Sequence, residues 1–214
     1  FPRFAFEKFP EVNPILGIQM KSVGETMAIG RTFRSAWQKG IRGLEIGRIG
    51  WIKGDRLEDD GLESVEPEAL RAALRRPTAE RCFQLKHALE GVGGESVDGR
   101  LPLSLEEIQE ATGIDPWFLH QLLEVINNER WYAGLDEAGP DELRLMKRHG
   151  FSDAQLAGLR AEEESDVRSR RWEWDIRPTY NVVDTCAGEF PAETPYYYSS
   201  YEEEDESAPS DREK

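Results

Sequence analysis

Apolar side chains recur with helical spacing through the middle of the chain. One series, spaced three or four residues apart, comprises Phe33, Trp37, Ile41 and Leu44. Residues with this spacing lie on one face of a helix. Thr32 stands directly before them, where a side-chain oxygen can accept a hydrogen bond from a free N–H group of the first turn. The pattern therefore predicts a helix that begins after Thr32.

Capping residues and prolines mark further helix boundaries. Ser104 and Glu107 form a capping box, and Gly113 suits the left-handed residue that ends the helix. Asp115 followed by Pro116 is typical of the start of another helix. The apolar face of that helix is predicted to contain Phe118, Leu119, Leu122, Leu123 and Ile126. Other helices are predicted to begin at Pro67, Thr78, Pro140, the Ser152–Gln155 capping box and Glu164.

The two ends of the chain are predicted to be extended. Aromatic residues alternate in Phe1–Phe9 as they do in a strand. Because one strand is unstable alone, we expect its partners outside the chain and a chain that begins within a longer protein. Thr179–Val183 has high β propensity, and the tyrosines after it lack helical periodicity. Gly47–Gly61 is predicted to be a linker, and Glu202–Lys214 is predicted to be a solvated connector. Because most of the predicted elements are helices, the predicted fold is mainly α.

Charge excludes some classes of partner. The 214 residues include 42 acidic and 27 basic residues, a net charge of −15, so nucleic-acid phosphates and anionic membranes repel the chain. The helix, glycine turn and helix over 104–126 have the outline of a DNA-binding motif, but residues 101–130 hold six acids and only Arg130 as a base. We therefore interpret these helices as core. No apolar run is long enough to span a membrane and no signal peptide is visible, so a cytoplasmic protein is expected.

The residues that usually carry chemistry are few. Cys82 and Cys186 lie far apart and outside any C-x-x-C motif, and the three histidines share no metal-ligand spacing. A nucleophilic Cys186 would need a histidine nearby, and His149 is the nearest in sequence. We therefore predict no catalytic, cofactor-binding or metal-binding residue in this chain.

Two places leave alternatives open. Lys21–Glu25 has the composition of a phosphate loop without its spacing, so it is either an anion contact through Lys21 and the Gly24 amide or a structural turn. Leu70 and Leu74 share one stripe of the helix that begins at Pro67. That stripe is either an exposed patch for a second copy of the chain or part of the core.

Several stretches resemble one family in the same order along the chain. Near the start these are Pro2–Phe9 and Gln19–Arg31, which reads QMKSVGETMAIGR. Later ones are Thr112–Leu119, Leu145–Ala154, Val183–Phe190, Thr194–Glu202 and Ser210–Lys214. Together they resemble the large chain of carbamoyl phosphate synthase. The first two resemble its first ATP-grasp module, the middle ones its helical oligomerisation domain, and the last ones the connector after that domain.

The resemblance implies three parts. Residues 1–45 would be the end of the first ATP-grasp domain, residues 46–206 the helical oligomerisation domain, and residues 207–214 a linker into the second ATP-grasp domain. Within this frame we expect Lys21, Glu25 and Arg31, the charged residues of the signature, to brace the first active site from behind. Leu70 and Leu74 are the candidate oligomer contact.

The family also implies an activity for the whole large chain. It is an ATP-dependent ligase that makes carbamoyl phosphate from bicarbonate, ATP and ammonia, for arginine or pyrimidine biosynthesis. Its cofactors are ATP and Mg²⁺ or Mn²⁺, none of them expected within this segment, and a glutaminase subunit supplies the ammonia. The segment itself is expected to be inactive and to act as scaffold and self-association contact. The alternative is a stand-alone acidic helical module that binds a protein partner.

Overall fold

Helices dominate the part of the chain that the structure describes. The structure is a computed structural model, and it describes residues 1–51, 67–93, 102–191 and 196–207. The helices in these ranges are α1 (Phe33–Gly43), α2 (Pro67–Arg75), α3 (Arg81–Gly91), α4 (Leu105–Thr112), α5 (Pro116–Ala133), α6 (Pro140–Arg148), α7 (Asp153–Arg160) and α8 (Glu164–Glu173). Two small sheets flank them. The prediction of a mainly α fold is confirmed.

The helix boundaries follow the capping residues. The Thr32 side chain accepts a hydrogen bond from the Ser35 N–H at the start of α1, and Ser104 forms the complete capping box with Glu107 at the start of α4. Gly113 ends α4 with a φ of 69°, a left-handed conformation that glycine adopts without steric cost. Ser152 begins α7 with a second complete capping box. Each cap satisfies N–H groups that would otherwise lack a partner.

The hydrophobic core is built around α5. This helix contacts α1, α3, α4 and α7. Its inward face includes Leu119, Leu122, Val125 and Ile126, which are all nearly inaccessible to solvent. Full burial of each such side chain contributes about 1.5–3 kcal/mol, so this one helix supplies a large part of the stabilisation.

The N-terminal segment differs from the prediction. Only Pro2–Arg3 is a strand (β1), and it pairs antiparallel with Gly24–Glu25 (β2) of the same chain. A 3-10 turn over Phe6–Lys8 replaces the rest of the predicted strand, closed by the Lys8 N–H donating to the Ala5 carbonyl at 2.9 Å. The nine-residue strand is therefore wrong, and one strand partner lies within the chain. Alternating aromatics arise here from a turn in which the rings of Phe4 and Phe6 stack at 5.7 Å.

Two helix details were also predicted wrongly. The helix predicted at Thr78 begins at Arg81, because residues from Thr78 form a turn in which the carbonyl of Thr78 accepts from the Arg81 N–H. Phe118 was placed on the buried face of α5, but it is 43% exposed and packs against the ring of Phe33 on α1, with ring centroids 5.4 Å apart.

The stretch predicted as a linker contributes to the core. Trp51 is fully buried, and its indole N–H donates to the Cys82 carbonyl at 2.9 Å. Its backbone N–H donates to the side chain of Gln38 on α1. The linker interpretation is therefore wrong at Gly50 and Trp51, which are buried, and residues 52–61 lie outside the described part.

The C-terminal part forms a second small sheet. Thr179–Val182 (β3) and Tyr197–Ser200 (β4) pair antiparallel, which confirms the extended prediction for Thr179–Val183. The chain then runs back along β3, where the Glu206 N–H donates to the Tyr180 carbonyl at 2.8 Å. Residues 203–207 are exposed as predicted for a solvated connector, and residues 208–214 lie outside the described part.

Candidate functional site

A buried ion network joins α6, α7 and α8. The ammonium of Lys147 donates to the Asp153 carboxylate at 2.7 Å, and the Arg171 guanidinium contacts the same carboxylate at 3.0–3.2 Å. Arg171 also donates to the Ile176 carbonyl at 3.0 Å. All three charged residues are less than 9% exposed. One carboxylate therefore contacts two cations, which leaves the trio with a net charge of +1, and it links three helices to one another.

Burial and charge act in opposite directions in this network. Burial alone would raise the pKa of Asp153, but charge and hydrogen bonds from Lys147 and Arg171 outweigh it and hold this pKa below its ordinary value. Burial lowers the pKa of Lys147 to about 8, although Asp153 acts in the opposite direction. Asp153 is therefore ionised at neutral pH, where its negative charge compensates part of the positive charge of Lys147 and Arg171.

Two cations of α1 bind the N-terminal segment, the α6–α7 turn and the second sheet together. The Lys39 ammonium donates to the carbonyls of Ile29 and Ser199. The Arg42 guanidinium donates to the Gly150 carbonyl at 2.7 Å and to the Gln155 side chain at 3.2 Å. These contacts cross the predicted domain limit at 45/46, and α1 is part of the same core as the later helices.

Lys21, Glu25 and Arg31 have separate surroundings. The Lys21 ammonium donates to the backbone carbonyl of Asn13 at 2.8 Å and to that of Ile15, so it closes a loop. Glu25 is exposed on β2, and Arg31 lies 3.7 Å from the carboxylate of Glu204. Across the described ranges, no hydrogen bond or ion pair connects two of these three residues. Their role in bracing an active site stays a prediction.

Leu70 and Leu74 lie in the core. Their side chains are 6% and 0% exposed, and α2 packs against α3 and α4. Within this chain the two leucines therefore occupy core positions, as one of the two alternatives predicted. A role in self-association is untested by this geometry and stays a prediction.

An exposed patch of aromatic side chains was not predicted from the sequence. Phe33 at the start of α1 contacts Trp117 and Phe118 at the start of α5, with ring centroids 5.4–5.6 Å apart. Trp117 is 53% exposed and Phe118 43%. Exposed clusters of large apolar side chains are typical of contact surfaces. A sequence signal existed, because Trp117 and Phe118 directly follow Pro116, at the first turn of the helix.

The potential catalytic residues do not assemble into a site. Burial raises the pKa of the Cys82 thiol to about 12, so this thiol stays protonated and unreactive at neutral pH. Cys186 lies in a turn, where its N–H donates to the Asp184 side chain at 2.9 Å. In the ranges that the structure describes, no group of three or more His, Cys, Asp or Glu side chains is arranged to hold a metal ion. Among the same residues, no helix has both the length and the apolar character to cross a membrane.

These features define a mainly helical domain, in which buried ion pairs fix the helices and an aromatic patch faces outward. A family model described as the oligomerisation domain of the carbamoyl-phosphate synthetase large chain matches residues 25–175. The chain therefore belongs to the carbamoyl-phosphate synthetase large chain family.

Curated relatives match the chain over nearly its whole length. The carbamoyl phosphate synthase large chain of Gemmatimonas aurantiaca is 53% identical over 213 residues, covering 100% of this chain and 19% of the relative. That of Rhodopirellula baltica is 47% identical and covers 96% of this chain and 18% of the relative. The arginine-specific, chloroplastic large chain of Oryza sativa is 43% identical and covers 100% of this chain and 17% of the relative. The chain thus spans less than a fifth of the length of these relatives.

Proposed function

We propose that this chain is an internal segment of a glutamine-dependent carbamoyl phosphate synthase large chain, in which it acts as scaffold and self-association contact. The observation that supports the proposal best is the 53% identity across the whole chain to only 19% of a large chain that bears this name. The whole protein would then be a cytoplasmic ATP-dependent ligase that receives ammonia from a glutaminase subunit. Its product would serve arginine or pyrimidine biosynthesis.

Within this proposal the segment holds other parts in place. Lys39 and Arg42 tie the N-terminal segment to the α6–α7 turn and to β4, as a scaffold between neighbouring domains requires. Lys21, Glu25 and Arg31 would stiffen the N-terminal segment behind the first active site. Lys21 is anchored by two backbone carbonyls, Arg31 contacts Glu204, and Glu25 is held by the strand pairing of β2, so the three would act as separate braces.

ATP and Mg²⁺ or Mn²⁺ belong to the whole enzyme in this proposal. The described residues of this chain lack a carboxylate cluster fit for a divalent ion, so no step of the reaction is assigned to them. In this proposal the chain positions neighbouring parts of the enzyme and mediates self-association.

The activity is tested on the protein encoded by the whole reading frame that contains this chain. We expect bicarbonate-dependent ATP hydrolysis, and carbamoyl phosphate formation with ammonia or with glutamine and the glutaminase subunit. The 214-residue chain alone should show neither reaction. A whole-frame protein without bicarbonate-dependent turnover contradicts the ligase assignment, and favours a stand-alone module that binds a protein partner.

Self-association is tested on the same protein with two substitutions on α2. Leu70→Glu places a charge at a buried position, and Ala72→Glu places the same charge on the exposed side of the helix. If α2 is the contact, Ala72→Glu yields smaller particles by analytical ultracentrifugation and keeps its unfolding transition. If Leu70→Glu lowers stability while Ala72→Glu keeps the parent's particle size, the leucines serve the core alone and the contact lies elsewhere.

A further inference from the structure

A cavity of about 360 Å³ lies where three distant parts of the chain meet. One wall comes from α1 and the residues just before it, a second from the end of α6 and the start of α7, and a third from β3 and β4. A cavity of this size accommodates a small molecule. The activity proposed above assigns no ligand to it, although Lys39 and Arg42, which tie the segment together, lie in its lining.

The cavity lining is basic, although the chain as a whole is strongly acidic. The side chains of Arg31, Lys39, Arg42, Lys147 and Arg148 line it, against three acidic ones, Asp153, Glu164 and Glu202. The lining thus has a net charge of about +2 at neutral pH, within a chain of net charge −15. A concave site that concentrates charge of one sign attracts ions of the other sign.

Two of these cations, Lys39 and Arg42, have no carboxylate partner among the residues that the structure describes. Lys147 is paired with Asp153, Arg148 with Glu202, and Arg31 contacts Glu204. Throughout residues 1–51, 67–93, 102–191 and 196–207, by contrast, the hydrogen bonds of Lys39 and Arg42 go only to carbonyl and amide oxygens. Both residues line the same cavity from α1, one turn apart, and within the described ranges neither forms an ion pair with a carboxylate.

The charged forms of both cations are destabilised in their present surroundings. Burial and then the charge of Arg42 lower the pKa of Lys39, and burial lowers the pKa of Arg42. A bound anion would relieve both costs, because it compensates the charges and supplies acceptors for unused N–H donors.

We propose that this cavity binds a small phosphoryl anion, either free phosphate or the phosphoryl group of a small phosphomonoester. Two unpaired cations match the charge of a phosphoryl group, which is about −1.5 to −2 at pH 7. Ser35, Ser199 and Tyr201 also line the cavity, and residues of these types can donate a hydroxyl hydrogen bond to phosphoryl oxygens. Because α1 and β4 both contribute to it, an occupied site would strengthen the connection between the N-terminal segment and the second sheet.

The test follows Lys39 itself, so that other phosphate sites in the protein do not interfere. In the protein encoded by the whole reading frame, the rate of Lys39 acetylation by acetic anhydride is measured by mass spectrometry against phosphate concentration. Potassium chloride keeps the ionic strength constant, and the exposed Lys8 reports any general loss of reagent. We expect saturable protection of Lys39 of at least fivefold, with the rate at Lys8 unchanged.

Variants distinguish specific phosphate binding in the cavity from non-specific attraction of phosphate by positive charge. Arg42→Gln should raise the phosphate concentration for half-protection at least tenfold, whereas Arg144→Gln, an exposed cation outside the cavity lining, should change it less than twofold. If Arg42→Gln lowers the melting temperature, Arg42→Lys keeps the charge and should retain protection. Glycerol 3-phosphate distinguishes the two sources, because stronger protection by it than by inorganic phosphate indicates a phosphomonoester. Protection that does not saturate, or that survives Arg42→Gln unchanged, overturns the proposal.

Discussion

Replacing Asp153 by asparagine removes the one carboxylate that compensates two buried cations. The substitution keeps the shape of the side chain and one acceptor oxygen, but it removes the negative charge that raises the pKa of Lys147 and leaves the Arg171 guanidinium without its carboxylate, each cation being less than 9% exposed. Removing one partner of a buried ion pair costs about 3–5 kcal/mol, since the remaining charge stays desolvated without compensation. We expect about 3 kcal/mol for Asp153→Asn, because the amide oxygen still accepts one hydrogen bond.

A loss of this size is measurable by urea unfolding. Domains are stabilised by about 5–15 kcal/mol in total, and in a domain of this length 1 kcal/mol shifts the melting temperature by about 2–4 °C. Asp153→Asn should therefore lower the melting temperature by about 6–12 °C and shift the urea midpoint accordingly, followed by circular dichroism. The matched control is Asp141→Asn, since Asp141 also lies in the first turn of a helix but is exposed, and we expect a change within about 0.5 kcal/mol.

The same network gives a pH dependence of known sign. The folded-state pKa of Asp153 lies below its unfolded value of 3.8, so the unfolded chain binds more protons there and the stabilisation is lost as pH falls below about 4. The difference in unfolding free energy between the parent and Asp153→Asn should therefore shrink in acid. A change of less than about 1 kcal/mol at pH 7, or a difference that grows as pH falls below about 4, refutes the ion-network account.

Three other substitutions test separate features. Ser104→Ala removes one half of a capping box and should cost about 1 kcal/mol in urea unfolding. Gly40→Ala places a Cβ atom 2.1 Å from the Phe1 ring, so we expect a net loss of about 1–3 kcal/mol despite the better helix propensity of alanine. His149→Gln should flatten the pH dependence of stability between pH 4 and 6.5. Burial, aided by nearby arginines, lowers the folded-state pKa of His149 to about 4, so that the parent loses stability as pH falls through this range.

Each of these substitutions has a contradicting result. An unchanged urea midpoint for Ser104→Ala would mean that the cap adds nothing to the stability of α4. If Phe1→Ala does not rescue Gly40→Ala in a double-mutant cycle, the loss does not come from that ring. Parallel stability curves for His149→Gln and the parent between pH 4 and 6.5 would show that this imidazole titrates alike in both states.

Local signals predicted the helices well. The boundaries of α1, α4, α5 and α7 follow from short-range hydrogen bonds between a capping side chain and a backbone N–H group, and all the atoms involved lie within a few residues. The same logic failed at Phe1–Phe9, where alternation of aromatics arises from a turn rather than a strand. Two-residue pairings such as Pro2–Arg3 with Gly24–Glu25 have no periodic signature, because periodicity needs a longer run of residues.

The candidate site was less predictable because its contacts are long-range. The sequence marked Asp153 only as the residue after the Ser152 cap, and nothing in its neighbourhood indicates Arg171, which lies 18 positions later. Trp51 was hidden in a glycine-rich stretch that resembles a linker. Burial of these side chains depends on how helices pack, which a one-dimensional pattern does not contain.

Lys39 and Arg42 are held by neutral acceptors rather than by carboxylates, and this choice of partner has a consequence for the cavity. With 42 acidic residues against 27 basic ones, the chain has ample carboxylates, yet Lys39 and Arg42 are surrounded by carbonyl and amide oxygens instead. A carboxylate at this point would remove the excess positive charge permanently and close the cavity to an anion. Neutral acceptors hold both cations in position and leave their charge available. An anion bound in the cavity would therefore strengthen a junction that neutral acceptors already connect, between the N-terminal segment, the α6–α7 turn and the second sheet.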